Sequence, residues 1–313
     1  MTQIELNGLR ADLPIAVMAA FGVLRICDRK KTRPRLFWVL RETGFRPVIQ
    51  LDAAVNRDDL IALLISDLRD EKGRAALGYW EQIKKVRVED FAARVGPVLG
   101  ATEPGERELA DWFAAFASDL ILDDGVIEAT PFDMSAARQK FLADAGKLAE
   151  SLAGPTKGRN SRTVDDCYGE ALFGPWRYAD DQHSLGWDPS TMKLGAFTPK
   201  APTGMPNAGV RVAVWLAFES LPMFPVFAVD GKQQTRSFRQ RKKDTSFCWP
   251  VWREPLTLAA LKSLLAWPGL THEKERSEAG ARGLTGIYEA QKYKPNKYLA
   301  SFRPPELVWV GEG

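Results

Sequence analysis

Residues 211–227, RVAVWLAFESLPMFPVF, constrain the fold more than any other stretch of this 313-residue chain. Val212, Val214, Trp215, Leu216, Phe218 and Leu221 leave almost no polar face. A helix that is apolar nearly all round has to be packed on several sides. The run is too short and too interrupted to cross a bilayer, which takes about 20 apolar residues. Pro222 ends or kinks it, because proline lacks the N–H donor and its ring clashes with the preceding turn. Pro225-Val-Phe-Ala-Val then reads as a strand leaving the core towards an Asp230-Gly231 turn. The rest of the chain has to wrap this helix. With 45% hydrophobic residues against 27% charged, it has the apolar material to do so.

Read from the start, Ile4-Glu-Leu predicts a short strand, Asp12 an N-cap, and Pro14 the first turn of a helix over 15–27. A basic loop (28–35) leads to strands at 36–40 and 46–51 around the hairpin signal Glu42-Thr-Gly44. A helix then starts near Asn56 or Asp58 and runs to about Asp70. From about residue 75 the pattern is mainly helical, over 88–99, 106–122 and 135–152, with a strand near 125–130. The turn-rich basic connector 154–163 is the candidate boundary between an N-terminal α+β half (1–155) and a C-terminal α+β half (156–313), unless the whole is one domain. Residues 165–206 have no clear period. Beyond the central helix come a hairpin around 239–243, a strand at 247–252, a helix at 256–265, and strands at 283–293 and 298–302 around Lys294-Pro-Asn-Lys297. The expected class is therefore α+β: mixed helices and short antiparallel hairpins around a buried central helix.

Composition excludes several function classes. Three widely spaced cysteines, Cys27, Cys167 and Cys248, fit neither a disulfide framework nor a zinc site. The N-terminal residues lack the basic and apolar regions of a secretion signal, so a reducing cytoplasm is expected. There is no phosphate loop and no dinucleotide fingerprint. No cofactor is expected. A net charge of +3 is too mild to imply nucleic-acid binding by itself, so that case rests on local clustering.

Such clusters exist. Arg236, Arg239, Arg241, Lys242 and Lys243 surround Phe238 on a predicted hairpin tip. Cations neutralise phosphates, and an interleaved aromatic can stack on an unpaired base. Lys292, Lys294 and Lys297, with Tyr293 and Tyr298, repeat the mixture at a second tip, and Arg29 to Arg35 form a third cluster. A competing constellation is acidic: Asp165, Asp166, Asp180, Asp181, His183 and Asp188 contain the donors of a divalent-metal hydrolase, although Asp-Asp pairs also serve as turn and cap residues. Trp176 and Trp187, in the irregular segment, are candidate partner-facing anchors.

Several segments resemble one known family. The opening GLRADLPIAVMAAFGVLRI resembles the N-terminal pattern of a CRISPR-associated family of type I-G (formerly I-U) loci, in which a short strand precedes an Ala-Phe-Gly-Val-Leu-Arg-type helix. Gly186-Trp-Asp-Pro189 followed by the buried helix and Leu-Pro-x-Phe-Pro resembles the family's middle. Phe247-Cys-Trp-Pro-Val-Trp and Gly283-Leu-Thr-Gly-Ile-Tyr-Glu-Ala-Gln-Lys resemble its last third. The resemblance carries no catalytic signature. It implies an accessory or large-subunit-like component of antiviral defence, with CRISPR effector proteins and guide RNA or target DNA as partners and no membrane role. In such complexes base pairing reads sequence while protein holds backbone and shape. The expectation is a non-enzymatic, nucleic-acid- or ribonucleoprotein-binding protein. The alternatives are a metal-dependent nuclease or hydrolase using 165–188, or a pure protein-interaction subunit.

Overall fold

The computed structural model describes residues 1–70, 76–136, 139–154, 162–192, 207–241, 244–297 and 299–311. The fold is α+β. It begins with strand β1 (Thr2–Glu5), helix α1 (Pro14–Arg29) and the hairpin β2 (Arg35–Arg41)–β3 (Gly44–Leu51). The three strands form an antiparallel sheet in the order β1-β3-β2, with Ile49 paired to Ile4 on one side and Leu36 on the other. Proline does open α1, but Leu13 occupies the cap position and contributes no side-chain bond. Asp12, the expected cap, instead takes the Arg10 guanidinium at 2.9 and 2.5 Å. Helix α2 (Arg57–Arg69) starts as its sequence dictates. Asn56 and Asp59 cap each other's backbone N–H at 2.9 Å, a reciprocal box that satisfies two otherwise orphan donors.

Helices α3 (Val88–Val95) and α4 (Pro104–Phe116) follow, but the helix expected to reach residue 122 stops at Phe116. Residues Ala117–Asp123 (β4) and Val126–Ala129 (β5) form a hairpin instead. Asp124 and Gly125 both have positive φ, 51° and 76°, which is the mirror-image turn that matches the twist of paired strands. The turn dipeptide overrides the helical spacing of Leu120 and Ile121. Helix α5 (Phe141–Ala153) comes next. Helix α6 (Val164–Phe173) falls in the segment read as irregular, and is announced by a second capping box, Thr163 with Asp166. The candidate boundary falls largely on residues 155–161, outside the described residues.

Helix α7 (Arg211–Glu219) is the predicted organiser. Residues 212 to 219 are all buried, Trp215 and Phe218 at 1% and 0% exposure. A 3-10 turn at Leu221–Met223 carries Pro222 and ends the helix as expected. Phe218 meets the rings of Trp112 on α4 and Phe141 on α5, and stacks with Trp215 of its own helix, so two other helices converge on it. The closest approach is to α1: a Cβ on Gly22 would lie 1.8 Å from the Leu216 carbonyl oxygen. Only glycine lets the two backbones meet there.

The chain then forms β6 (Val226–Val229), β7 (Lys232–Thr235), β8 (Phe238–Arg241), β9 (Asp244–Trp252), α8 (Leu258–Leu265), β10 (Leu284–Asn296), β11 (Leu299–Phe302) and β12 (Glu306–Val310). β6 and β7 pair as a hairpin across Asp230-Gly231. The main C-terminal sheet runs β11-β10-β9-β8, with β12 also on β10. It is tied to the N-terminal sheet. Leu36 and Leu256 exchange both backbone bonds at 2.9 Å, the Trp252 indole donates to the Leu36 carbonyl, and the Trp249 indole donates to that of Ala11. One contiguous apolar core takes residues from both sides of the candidate boundary. Among the described residues no helix is long and apolar enough to cross a membrane.

Candidate nucleic-acid interface

The strand order decides where the cations go. β8, β9, β10 and β11 run as successive antiparallel neighbours, so the end of β8 and start of β9 lie at the same end of the sheet as the end of β10 and start of β11. The registers agree: Arg239 is level with Ser246, and Ser246 with Gln291. Arg241 on one side and Lys294 and Lys297 on the other therefore mark one end of one sheet. Lys294 lies on β10, two strand spacings or about 10 Å from β8, and Lys297 follows in the turn to β11. Lys294 and Lys297 are exposed. Arg241 is 60% exposed and 3.8 Å from the equally solvated Glu273, a pairing worth little in water. Lys242 and Lys243 lie outside the described residues, as does Tyr298.

The other predicted cations are turned inward, and alternation along the strands explains why. Phe238 faces the core at 4% exposure, its ring 4.8 Å from Phe132 and 5.5 Å from Phe247, so it offers no face to a base. Arg239, on the opposite face, forms an ion pair with Glu289 across the intervening strand. Lys292 donates its amine to the Pro131 carbonyl at 2.9 Å, and burial pulls that amine down to about 8. Arg236 is half-buried and donates to the Met223 carbonyl at 3.2 Å. Burial lowers its pKa too, though an arginine stays charged.

The third cluster is engaged only in part, since Lys31 and Arg33 stay exposed. Arg29 pairs with Asp67, Glu108 and Glu219, Lys30 stands 3.8 Å from Asp67, and Arg33 and Arg35 face Asp52 at 4.0 and 3.6 Å. Arg25 completes the set, pairing with Glu108 and, at 2.8 Å, with Glu219. Arg25 is 4% and Glu219 1% exposed, so this is an ion network buried where α1, α2, α4 and α7 meet. Its role is structural. Arg25 and Glu219, on otherwise apolar stretches of α1 and α7, can be buried there only because the network pairs them.

The acidic segment is likewise occupied by backbone work. Asp166 caps α6, and Asp188 caps the following 3-10 turn through Ser190. Asp180 accepts from the Arg211 backbone at the start of α7 and lies near Arg162. Asp181 accepts from the Asn207 backbone, and His183 Nδ1 from that of Leu185. Among the described residues no group of three or more His, Cys, Asp or Glu converges to hold a metal ion. Trp187 is fully buried and donates to the Phe132 carbonyl. Trp176 is half-buried and donates to the Ala171 carbonyl. The three thiols are buried, and burial raises those of Cys27 and Cys248 to about 12, far from reactive thiolates.

A groove of about 680 Å³ lies between the β7–β8 segment and the chain that follows α8. Its walls include Arg236, Arg239 and Arg241 on one side and Trp267, His272 and Glu273 on the other. Ser237 Oγ donates to the Leu265 carbonyl at 3.1 Å and ties the two walls together. Only the packing of α8 against the sheet creates the groove, so no local motif announces it.

No family model matches this chain, and no curated protein sequence matches it either.

Proposed function

We propose that this chain is a non-enzymatic, cytoplasmic component of a prokaryotic CRISPR-type antiviral defence system, and that it binds nucleic acid or a ribonucleoprotein through the basic end of its C-terminal sheet. The CRISPR part rests on the resemblance of the opening, middle and final segments to the type I-G family. The binding part rests on one observation: Arg241, Lys294 and Lys297, from two hairpins far apart in sequence, come to the same end of one antiparallel sheet. Solvated cations at that spacing can lie along a phosphate backbone without reading its sequence. Replacing Arg241, Lys242, Lys243, Lys294 and Lys297 with Ala tests the reading and leaves the Arg239–Glu289 pair intact. Binding to effector complex or nucleic acid should fall while melting stays near wild type. Unchanged binding and defence in that variant would leave both tips as ordinary solvated loops.

The protein-interaction reading draws support from a separate surface. Leu120 and Leu122 on β4 are 73% and 49% exposed, and Phe227 and Val229 on the neighbouring β6 are 45% and 46% exposed. These are apolar side chains of the kind that mark contact surfaces. Substituting all four with Ser, without loss of nucleic-acid binding, separates the two readings.

A further inference from the structure

The terminal strand of the C-terminal sheet, β8, has one edge on β9 and the other on the groove. The Cys248 N–H donates to the Ser237 carbonyl at 2.8 Å, and the same register continues through Arg239 opposite Ser246 and Arg241 opposite Asp244. Bonded and non-bonded pairs alternate in an antiparallel ladder. The N–H and C=O of Ser237, Arg239 and Arg241 therefore turn to β9, and those of Phe238 and Gln240 turn away from it. Among the described residues no group bonds these outward N–H and C=O groups; Gln240 reaches β7 only through its side-chain amide, which donates to the Gln233 carbonyl at 2.9 Å. Residues 234–241 line the groove without a gap, as a strand edge does, whereas a strand face would contribute alternate residues. Phe238 is 4% exposed, and a buried backbone group without a partner is rare. The edge is incomplete.

The lining of the groove indicates what completes it. Phe227 on β6, 45% exposed, and Trp267 beyond α8 supply apolar contact. The charges offset one another. Glu289 neutralises Arg239, Arg236 is drawn towards Asp111, and the exposed Arg241 and Lys274 stand with Glu273 and Glu275. Such a mixed lining does not gather phosphates, and it accepts a peptide.

We propose that β8 is a docking edge for an extended segment of a partner protein, which joins the C-terminal sheet as a further strand by bonding the backbone of Phe238 and Gln240. The proposal gives the protein-interaction reading a specific surface and does not depend on phosphate binding at the sheet end. In strand addition, backbone bonds supply affinity and alternate side chains supply selectivity. The edge spans 4 residues, about 13 Å, which is room for two pairs of ladder bonds. Successive side chains of the segment turn to opposite faces, so apolar residues at every second position suit Phe227 and Trp267, with polar residues between them. A second copy of the chain is a poor occupant. The groove that holds the edge also takes in Gln234 of the β6–β7 hairpin and residues 271–275, and two edges walled in this way cannot be brought together.

A display library of random dodecapeptides, selected on the full chain, supplies the probe. The selected peptide should carry apolar residues at alternate positions. N-methylation of its backbone should weaken binding about tenfold at every second position and little at those between, because only alternate N–H groups pair with β8. On the protein, Gln240→Pro removes the outward N–H and keeps the bonds to β9, since proline is tolerated on an edge strand. It should weaken the peptide about tenfold relative to Gln240→Ala, which controls for the amide bond to Gln233. Phe227→Ser, at an exposed position, should also weaken the peptide, and stands in if the proline variant does not fold. All three variants should bind a labelled single-stranded oligonucleotide as the wild type does. A library that returns no peptide sensitive to Gln240→Pro or Phe227→Ser would overturn the proposal, as would an N-methylation scan without period two. Loss of the oligonucleotide in place of the peptide would make the groove a nucleic-acid site and overturn it equally. So would self-association of the wild type that Gln240→Pro abolishes, which would assign the edge to a second copy. If the peptide results hold and no oligonucleotide binds the wild type, the docking edge stands and the nucleic-acid reading alone has failed.

Discussion

Lys292 reads in sequence as part of a basic tip, and the fold turns it inward, so replacing it with Met should stabilise the protein at neutral pH. Its amine donates to the Pro131 carbonyl, with Asp133 as the strongest nearby attraction and Lys294 and Lys84 opposing. Burial outweighs that attraction and lowers the amine from 10.5 to about 8. A displacement of that size corresponds to roughly 3 kcal/mol of penalty for holding the charged form in the folded state. Losing the bond to Pro131 returns about 1 kcal/mol of that. Lys292→Met should therefore be more stable than wild type by about 2 kcal/mol at pH 7. The pH dependence has a definite sign. Between pH 8 and 10.5 the folded lysine has lost its proton while the unfolded one keeps it, so wild-type stability rises with pH in that window. Below pH 8 both states are protonated and the penalty is constant. Urea denaturation of both proteins at pH 7, 9 and 10.5 reads the difference, which should shrink and then reverse as the penalty vanishes and only the lost bond remains. A Met variant less stable than wild type at pH 7, or a gap indifferent to pH, would show that the amine is solvated and the burial argument wrong.

Other consequences follow from the core and the caps. Gly22→Ala places a methyl 1.8 Å from the Leu216 carbonyl and must push α1 from α7, costing on the order of 3 kcal/mol or yielding insoluble protein. Thermal melting of a soluble variant at the wild-type temperature would refute that crossing. Arg25→Met leaves Glu219 buried beside Arg29 alone and should cost about 3–5 kcal/mol, checked by denaturation, whereas Arg33→Ala on the exposed loop should cost almost nothing. Changing Asp180, Asp181 and His183 together to Asn, Asn and Gln should lower stability modestly, through weakened backbone acceptors, without altering nucleic-acid binding measured by fluorescence polarisation.

What could be read from the sequence was governed by how local its cause was. The burial of α7 follows from its composition, and the start of α2 from Asn56 and Asp59, because each requires only neighbours in sequence. The β4–β5 hairpin was also legible. Asp124-Gly125 is as strong a turn signal as Asp230-Gly231, yet the helical spacing around it pointed the other way. The charges of Arg25 and Glu219 stood out in apolar helices and could have been matched as a buried pair. The fate of the basic residues was harder. Strand alternation separates Phe238 from Arg239, but that Glu289 waits two strands away, or that Pro131 offers its carbonyl to Lys292, depends on pairings across 50 to 161 residues. The groove beside Arg236 is the extreme case, since neither wall carries a motif and only their packing makes it.

The central claim is that the basic end of the C-terminal sheet engages phosphates, and the salt dependence of binding tests it most directly. Affinity of the purified chain for a labelled single-stranded oligonucleotide would be measured from about 50 to 200 mM salt, where counterion release governs phosphate binding. Four to five contacted phosphates at the two tips predict a log–log slope of about −3 to −3.5, at roughly 0.7 per contact on a single strand. The variant lacking Arg241, Lys242, Lys243, Lys294 and Lys297 should bring the slope close to zero. A wild-type slope close to zero, or the same slope in both proteins, would contradict the account.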